Sequence, residues 1–270
     1  FHNKNTNFYE CQVFSERHNF SHFNFLNQAI EQNVLDENNK NFLIKFINFL
    51  ENKENIYSQL YQDMFAEFIL NKQIKKTFLE FGATNGLEYS NTYSLEKYFE
   101  WTGVLAEPDP QWHQDLKKNR PNTKLIYDCV WTKSNEKLNF LSSEVGVYST
   151  IEKFKFSDKV SMPGNSKKRL ESAKMITVNS ISLNELIKKH FNNLAPSYIS
   201  IDTEGSEYEI LLNLDFKNYH PKVFTIEHNH TDYEKKIDEL MKLNGYTRVF
   251  KNLTLFDAWY VSQEIMDKFI

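Results

Sequence analysis

In the middle of this 270-residue chain, acidic side chains recur wherever a short apolar run ends. Glu80 lies at the end of "KTFLEFG", Glu107 at the end of "TGVLAEPD" and Asp128, with Cys129, inside "KLIYDCVW". Asp202 and Glu204 close "SYISIDTEG", and Glu227 closes "KVFTIEH" with His228, Asn229 and His230 behind it. Carboxylates accept hydrogen bonds from sugar hydroxyls, hold cations, or take a proton from a weak acid; histidine adds a base that titrates near neutrality. Gly82 and Gly86 bracket Ala-Thr-Asn directly after the first run. Glycine tolerates positive φ and lets backbone approach a ligand closely. A pyrophosphate fingerprint would need G-x-G-x-x-G, but Thr84 stands at its second glycine and no P-loop Lys-Ser/Thr pair follows. The turn therefore suits a nucleoside without a pyrophosphate. Glu107 lies roughly 20 residues beyond the glycines, the distance at which an acid accepts from both ribose hydroxyls. Asp128 is placed to meet an adenine amino group, and Glu80 to face an ammonium or a sulfonium. His228, His230, Glu204 and Asp202 are candidate bases. Asp202 and Glu227, with His228 or Asn229, are candidate ligands for an oxygen-preferring ion such as Mg²⁺ or Mn²⁺.

These residues need elements that bring them together. After Lys75, short apolar strands alternate with helical stretches: "NTYSLEKYF", "PQWHQDLKKNR", "ISLNELIKKHF", "EYEILLNL" and "DYEKKIDELMKLNGY". Such alternation predicts an α/β fold, a mostly parallel sheet with helices on both faces. Ser182 followed by Glu185 forms a capping box, and Gly245 closes the last long helix. "YTRVFKN" and "DAWYVSQ" have no helix between them, which predicts a closing antiparallel strand pair. Ligands of such sheets bind at the carboxyl ends of the strands, where the acids lie. Residues 1–60 carry neither Gly nor Pro and read as a small helical lead-in, with residues 61–270 as the main domain.

The balance of the chain excludes several classes. A net charge of −4 argues against nucleic-acid binding. Two cysteines, Cys11 and Cys129, are too few for a disulfide framework, which predicts a reducing, cytoplasmic setting. No run approaches the ~20 apolar residues of a membrane span.

"FLEFGATNGLEYSNTYSLEK", "GVLAEPDP", "YISIDTEGSEYEIL" and "FTIEHN", in this order and spacing, resemble the FkbM family of class I methyltransferases over about residues 61–262. The resemblance implies a Rossmann-like seven-stranded sheet, S-adenosyl-L-methionine as donor, and O-methylation of a sugar or glycan hydroxyl. Glu80, Gly82, Asn85 and Gly86 match the first cofactor motif, with Asn91 behind it. Glu107, beside Pro108, matches the ribose-binding acid, and Asp128, beside Cys129, the adenine-side position. Asp202 and Glu204 match the motif facing donor and acceptor, and Glu227 and His228 complete the expected catalytic set. Thr84 departs from the family's commoner pattern at a place where backbone does most of the binding. The expected partner is a sugar, nucleotide-sugar or glycan, with no nucleic acid and no membrane span. The reading also allows one module of a longer carbohydrate-building protein, beside a glycosyltransferase.

Ser142–Ile176 reads either as an irregular, solvated surface loop or as a lid whose Lys153, Lys155, Lys167, Lys168 and Arg169 favour an anionic acceptor. Tyr148 and Trp112 are candidate stacking partners for a sugar ring. Two other readings stay open on the same fold: a nucleotide-binding oxidoreductase, and a cofactor-binding module without turnover.

Overall fold

A computed structural model describes residues 23–30, 36–51, 53–73, 75–144, 146–158, 160–251 and 253–269. Cys11 lies outside them. The core is a seven-stranded sheet with strand order β10-β11-β9-β8-β1-β2-β3. Its strands are β1 (Thr77–Phe81), β2 (Thr102–Ala106), β3 (Lys124–Ile126), β8 (Tyr198–Ile201), β9 (Val223–Glu227), β10 (Tyr246–Val249) and β11 (Asp257–Ser262). β1, β2, β3, β8 and β9 run parallel, while β11 lies antiparallel to both β9 and β10. The chain steps outward from β1 to β3, then returns past β1 to β8 and β9. The order therefore reverses between β1 and β8, and a crevice opens there at the carboxyl ends. Glu80 pairs in register with Leu105 on one side and Ser200 on the other, so all the acidic strand ends lie along one edge.

The central strands are apolar without alternation because both faces are covered. On one face, Leu79, Ile199 and Ile226 pack against α7 (Leu183–His190), α8 (Glu207–Leu212) and α9 (Tyr233–Leu243). On the other, Phe78, Tyr198 and Trp259 share a cluster with α1 (residues 23–30), α2 (Glu37–Leu50) and α3 (Gln62–Leu70). The Phe65 ring stacks on Trp259 at 4.6 Å, and Phe46 meets Phe65 edge-on at 5.7 Å. Ser182 caps α7 by accepting from the Glu185 N–H, as its spacing predicts.

Two expectations need correction. "KLIYDCVW" is not one strand. β3 ends at Ile126, and the chain passes through exposed Tyr127 into β4 (Cys129–Trp131), which belongs to a second sheet. That four-stranded sheet has the order β4-β7-β5-β6, with β5 (Lys137–Ser142), β6 (Thr150–Ile151) and β7 (Lys174–Ser182). Ser142–Ile176 is likewise not irregular. It holds β6, two 3₁₀ turns (Gly146–Tyr148 and Glu152–Phe154), the helix α6 (Pro163–Ser172) and the start of β7. The remaining helices, α4 (Tyr93–Phe99) and α5 (His113–Asn119), follow β1 and β2, and α10 (Gln263–Met266) follows β11.

Candidate active site

The strand ends and the β5–β7 segment enclose a cavity of about 650 Å³. Glu80, Gly82, Asn91, Glu107, Pro108, Cys129, Asp202, Glu204 and Glu227 line it. Asn85, Gly86, Asp128 and His228 do not. The lid segment supplies the wall opposite the strands: Tyr148 and Lys168, both singled out from the sequence, and Ser149 and Asn165, which were not, line the cavity. Ser149 and Asn165 carried no signal beyond lying in that segment.

Glu107 is buried at the end of β2. Its Oε2 accepts from the Thr84 N–H and its Oε1 from the Asp109 N–H, each at 2.8 Å. Thr84 takes φ +47°, so it adopts the left-handed backbone usually left to glycine. Burial pushes the Glu107 carboxyl up to about 8 against these two hydrogen bonds. Glu80 lines the cavity but is already engaged. It accepts from Ser90 Oγ at 3.0 Å, from the Asn91 N–H at 2.8 Å and from Thr92 Oγ1, and Arg120 Nη1 lies 4.0 Å away. This carboxylate braces residues 90–92 and so holds Asn91 at the cavity.

The two glycines act through packing. Gly82 has φ +81°, and a Cβ there would overlap the carbonyl oxygen of Asp202. The first turn is thus pressed onto the end of β8. At Gly86 a Cβ would lie 2.6 Å from Leu116 Cδ1 and 2.8 Å from Arg120 Cγ, so this glycine seats the turn on α5. The Asn85 side chain closes the same turn by accepting from the Leu87 and Glu88 N–H groups.

Asp202, Glu204 and Glu227 bring carboxylate oxygens within 4.8 Å of one another. Burial pushes all three carboxyls up, and for Glu204 and Glu227 the Asp202 charge adds to the rise. Arg169 opposes it at Glu204, donating from Nη2 to Oε2 at 2.7 Å. Of the three, Glu204 is the one that touches a cation among the described residues. A side-chain hydrogen bond joins Asp202 and Glu227; it lowers the Asp202 carboxyl and raises that of Glu227. Glu227 Oε2 and Asn91 Oδ1 are both buried with no hydrogen-bond partner among the described residues.

His228 lies behind the wall. Its Nδ1 accepts from the His230 N–H at 3.1 Å and stands 3.9 Å from Glu234 Oε2, and its Nε2 lies 3.4 Å from Arg248 Nη2. Burial pushes this imidazole down to about 4. Its neighbour Asn229 is the residue that reaches the cavity. The lid cations also fall elsewhere than their sequence suggests. Lys153 pairs with Glu209, Lys155 with Glu152 and Lys167 with Glu171, and Arg169 is buried. Lys168 alone of the five lines the cavity, 3.5 Å from the Tyr148 hydroxyl. Trp112 packs beneath Gly146 rather than facing an acceptor.

The family model described as the methyltransferase FkbM domain matches residues 80–256, from the first acid at the cavity to the last strand. The chain belongs to the FkbM methyltransferase family. Among solved structures, a precorrin-6y C5,15-methyltransferase from Geobacter metallireducens GS-15 is similar at 12% identity, with a TM-score of 0.40 over 74% of this chain and 78% of that one. No curated protein matches the chain.

S-adenosylmethionine, the donor of this FkbM methyltransferase, carries an ammonium and a sulfonium. The cavity fits such a cation: two buried acceptors short of donors, Asn91 Oδ1 and Glu227 Oε2, with the Asp202 carboxyl beside Glu227. Glu107, with each oxygen fixed by one N–H and one lone pair to spare, fits a ribose diol. Among the described residues, no helix is long and apolar enough to cross a membrane.

Proposed function

We propose that this methyltransferase transfers the methyl group to a hydroxyl of a sugar or glycan, in polysaccharide or glycoconjugate modification. One observation carries the reading: a carboxylate, Glu204, held by a buried cation in the same cavity as the cofactor-binding acids. A sugar hydroxyl is a very weak acid and needs a proton acceptor as it attacks. The donor, when bound, supplies a methyl carbon made electrophilic by its sulfonium. Glu107 binds the ribose hydroxyls, and Asn91 and Glu227 hold the cationic end. Glu204 takes the acceptor proton on Oε1, since Oε2 faces Arg169. Tyr148, Ser149, Asn165, Thr203 and Asn229 offer the mixed apolar and hydrogen-bonding wall that a sugar requires. Lys168 at the mouth favours an anionic acceptor such as a nucleotide-sugar or phosphorylated glycan.

A divalent ion on Asp202 and Glu227 is the competing way to activate a hydroxyl. Glu204 and its bound arginine favour the proton-acceptor route, which uses no ion. A reducing, cytoplasmic setting and work beside a glycosyltransferase accord with this reading. The test is transfer of labelled methyl from S-adenosylmethionine to a panel of nucleotide-sugars, glycosides and glycans, with and without EDTA. Methylated oxygen on a carbohydrate, formed in EDTA as fast as without it, is expected. Loss in EDTA with recovery in Mg²⁺ or Mn²⁺ would move the reading to the metal route. Binding of S-adenosylhomocysteine with no transfer to any carbohydrate would overturn it.

A further inference from the structure

Besides the side chains it presents to the cavity, the segment between β5 and β7 grips a site carboxylate through Arg169. Arg169 on α6 is 0% exposed. Its Nη1 and Nη2 donate to the two oxygens of Asp158 at 3.0 and 3.1 Å. Its Nε donates to the Tyr148 carbonyl at 2.7 Å, Nη1 also to the Lys155 carbonyl at 3.2 Å, and Nη2 also to Glu204 Oε2 at 2.7 Å. A guanidinium has five N–H groups in a rigid fork, and every one is used. Asp158 accepts in addition from Ser166 Oγ.

This network replaces an apolar anchor. Of the ten residues in α6, only Ser166 and Arg169 are buried, and both bind Asp158. Leu170 on the same helix is 44% exposed. What holds α6 over the cavity is therefore ionic, and the Thr203–Gly205 turn is its seat. Thr150 Oγ1 donates to the Thr203 and Glu204 carbonyls, and Gly205, at φ +122°, leaves no room for a Cβ beneath Ser157. The lid carries the acceptor-side wall, whereas Glu80, Gly82, Asn91 and Glu107 stand on other elements.

We propose that Arg169 is a positioning residue that latches the lid, residues 146–172, onto Glu204, so that closing the acceptor wall and orienting the proton-accepting carboxylate are one event. The claim rests on Glu204 as proton acceptor. Removing one partner from a satisfied buried ion cluster leaves an uncompensated charge, which makes such a latch all-or-none.

Hydrogen–deuterium exchange on the full chain tests it, with Arg169→Met, Arg169→Lys and Asp158→Asn. In Arg169→Met, amides of residues 146–172 exchange on the order of tenfold faster, while S-adenosylhomocysteine affinity stays within about threefold. On the first acceptor found in the carbohydrate panel, kcat falls on the order of 100-fold with cofactor KM little changed, and Arg169→Lys recovers part of both effects. Unchanged lid exchange overturns the latch, and so does a loss of cofactor affinity as large as the loss of kcat. Should Arg169→Met fail to fold, Asp158→Asn carries the same expectations. Glu204→Gln separates the two claims. A lid that stays shut in Arg169→Met while Glu204→Gln abolishes transfer refutes the latch alone. Transfer that survives Glu204→Gln refutes the proton acceptor, and the positioning claim with it.

Discussion

On the cofactor side of the cavity, carboxylates are held by the turns and helix that follow β1 and β2; on the acceptor side one is held from the lid. Glu80 takes its hydrogen bonds from residues 90 to 92, and Glu107 from the backbone of Thr84 and Asp109. Glu204 takes its cation from Arg169, 35 residues upstream, across a lid helix with no apolar anchor. The first arrangement is fixed once β1 and β2 pair. The second exists only when the lid is seated. A rigid cofactor wall and a closable acceptor wall follow from these two ways of satisfying buried charge.

The sharpest way to break this comparison is Glu204→Gln. The account expects kcat to fall by about 10²–10⁴, the span that loss of a general base covers, in a protein that still folds. A loss of under threefold would place the proton acceptor elsewhere.

A second test concerns charge rather than reactivity. Burial pushes Glu107 up to about 8 and Asp257 up to about 7, from ordinary values of 4.5 and 3.8. Between the ordinary and the raised values the folded protein holds more protons than the unfolded chain, so stability must fall as pH rises through this window. The melting temperature of the protein without cofactor should drop by roughly 5 °C or more between about pH 5 and about pH 8. A melting temperature that rises over the same range would contradict the burial of these groups in unpaired form.

The smallest expected effect lies at the rim. Lys168→Ala should raise KM for an anionic acceptor severalfold at low salt, leave neutral glycosides unaffected, and lose its effect at high ionic strength. Equal changes for charged and neutral acceptors would remove Lys168 from acceptor selection.

The same contrast explains what the sequence made legible. Alternating strands and helices, the strand-end acids and the Ser182 cap are patterns with local causes, and each can be read from a stretch of some ten residues. The split of "KLIYDCVW" could not be read this way, because β4 leaves the main sheet to pair with β7, whose Ser180 lies opposite Cys129. His228 looked like a base because histidine follows a strand-end acid, but its orientation is set by Arg248 and Glu234 on other elements. Arg169 looked like a surface cation within a lysine-rich stretch. Its partners Asp158 and Glu204 are ordinary acids in the sequence, and only the folded chain makes them its counter-ions.

The most direct test of the two-walled account is calorimetric titration of S-adenosylhomocysteine into the wild type, Glu107→Ala and Glu204→Gln. Glu107→Ala removes both carboxyl oxygens that face the ribose diol and should weaken binding at least tenfold. Glu204→Gln, on the acceptor wall, should bind within about threefold of wild type. Unchanged affinity in a folded Glu107→Ala, or a tenfold loss in Glu204→Gln, would contradict the division of the cavity into a cofactor wall and an acceptor wall.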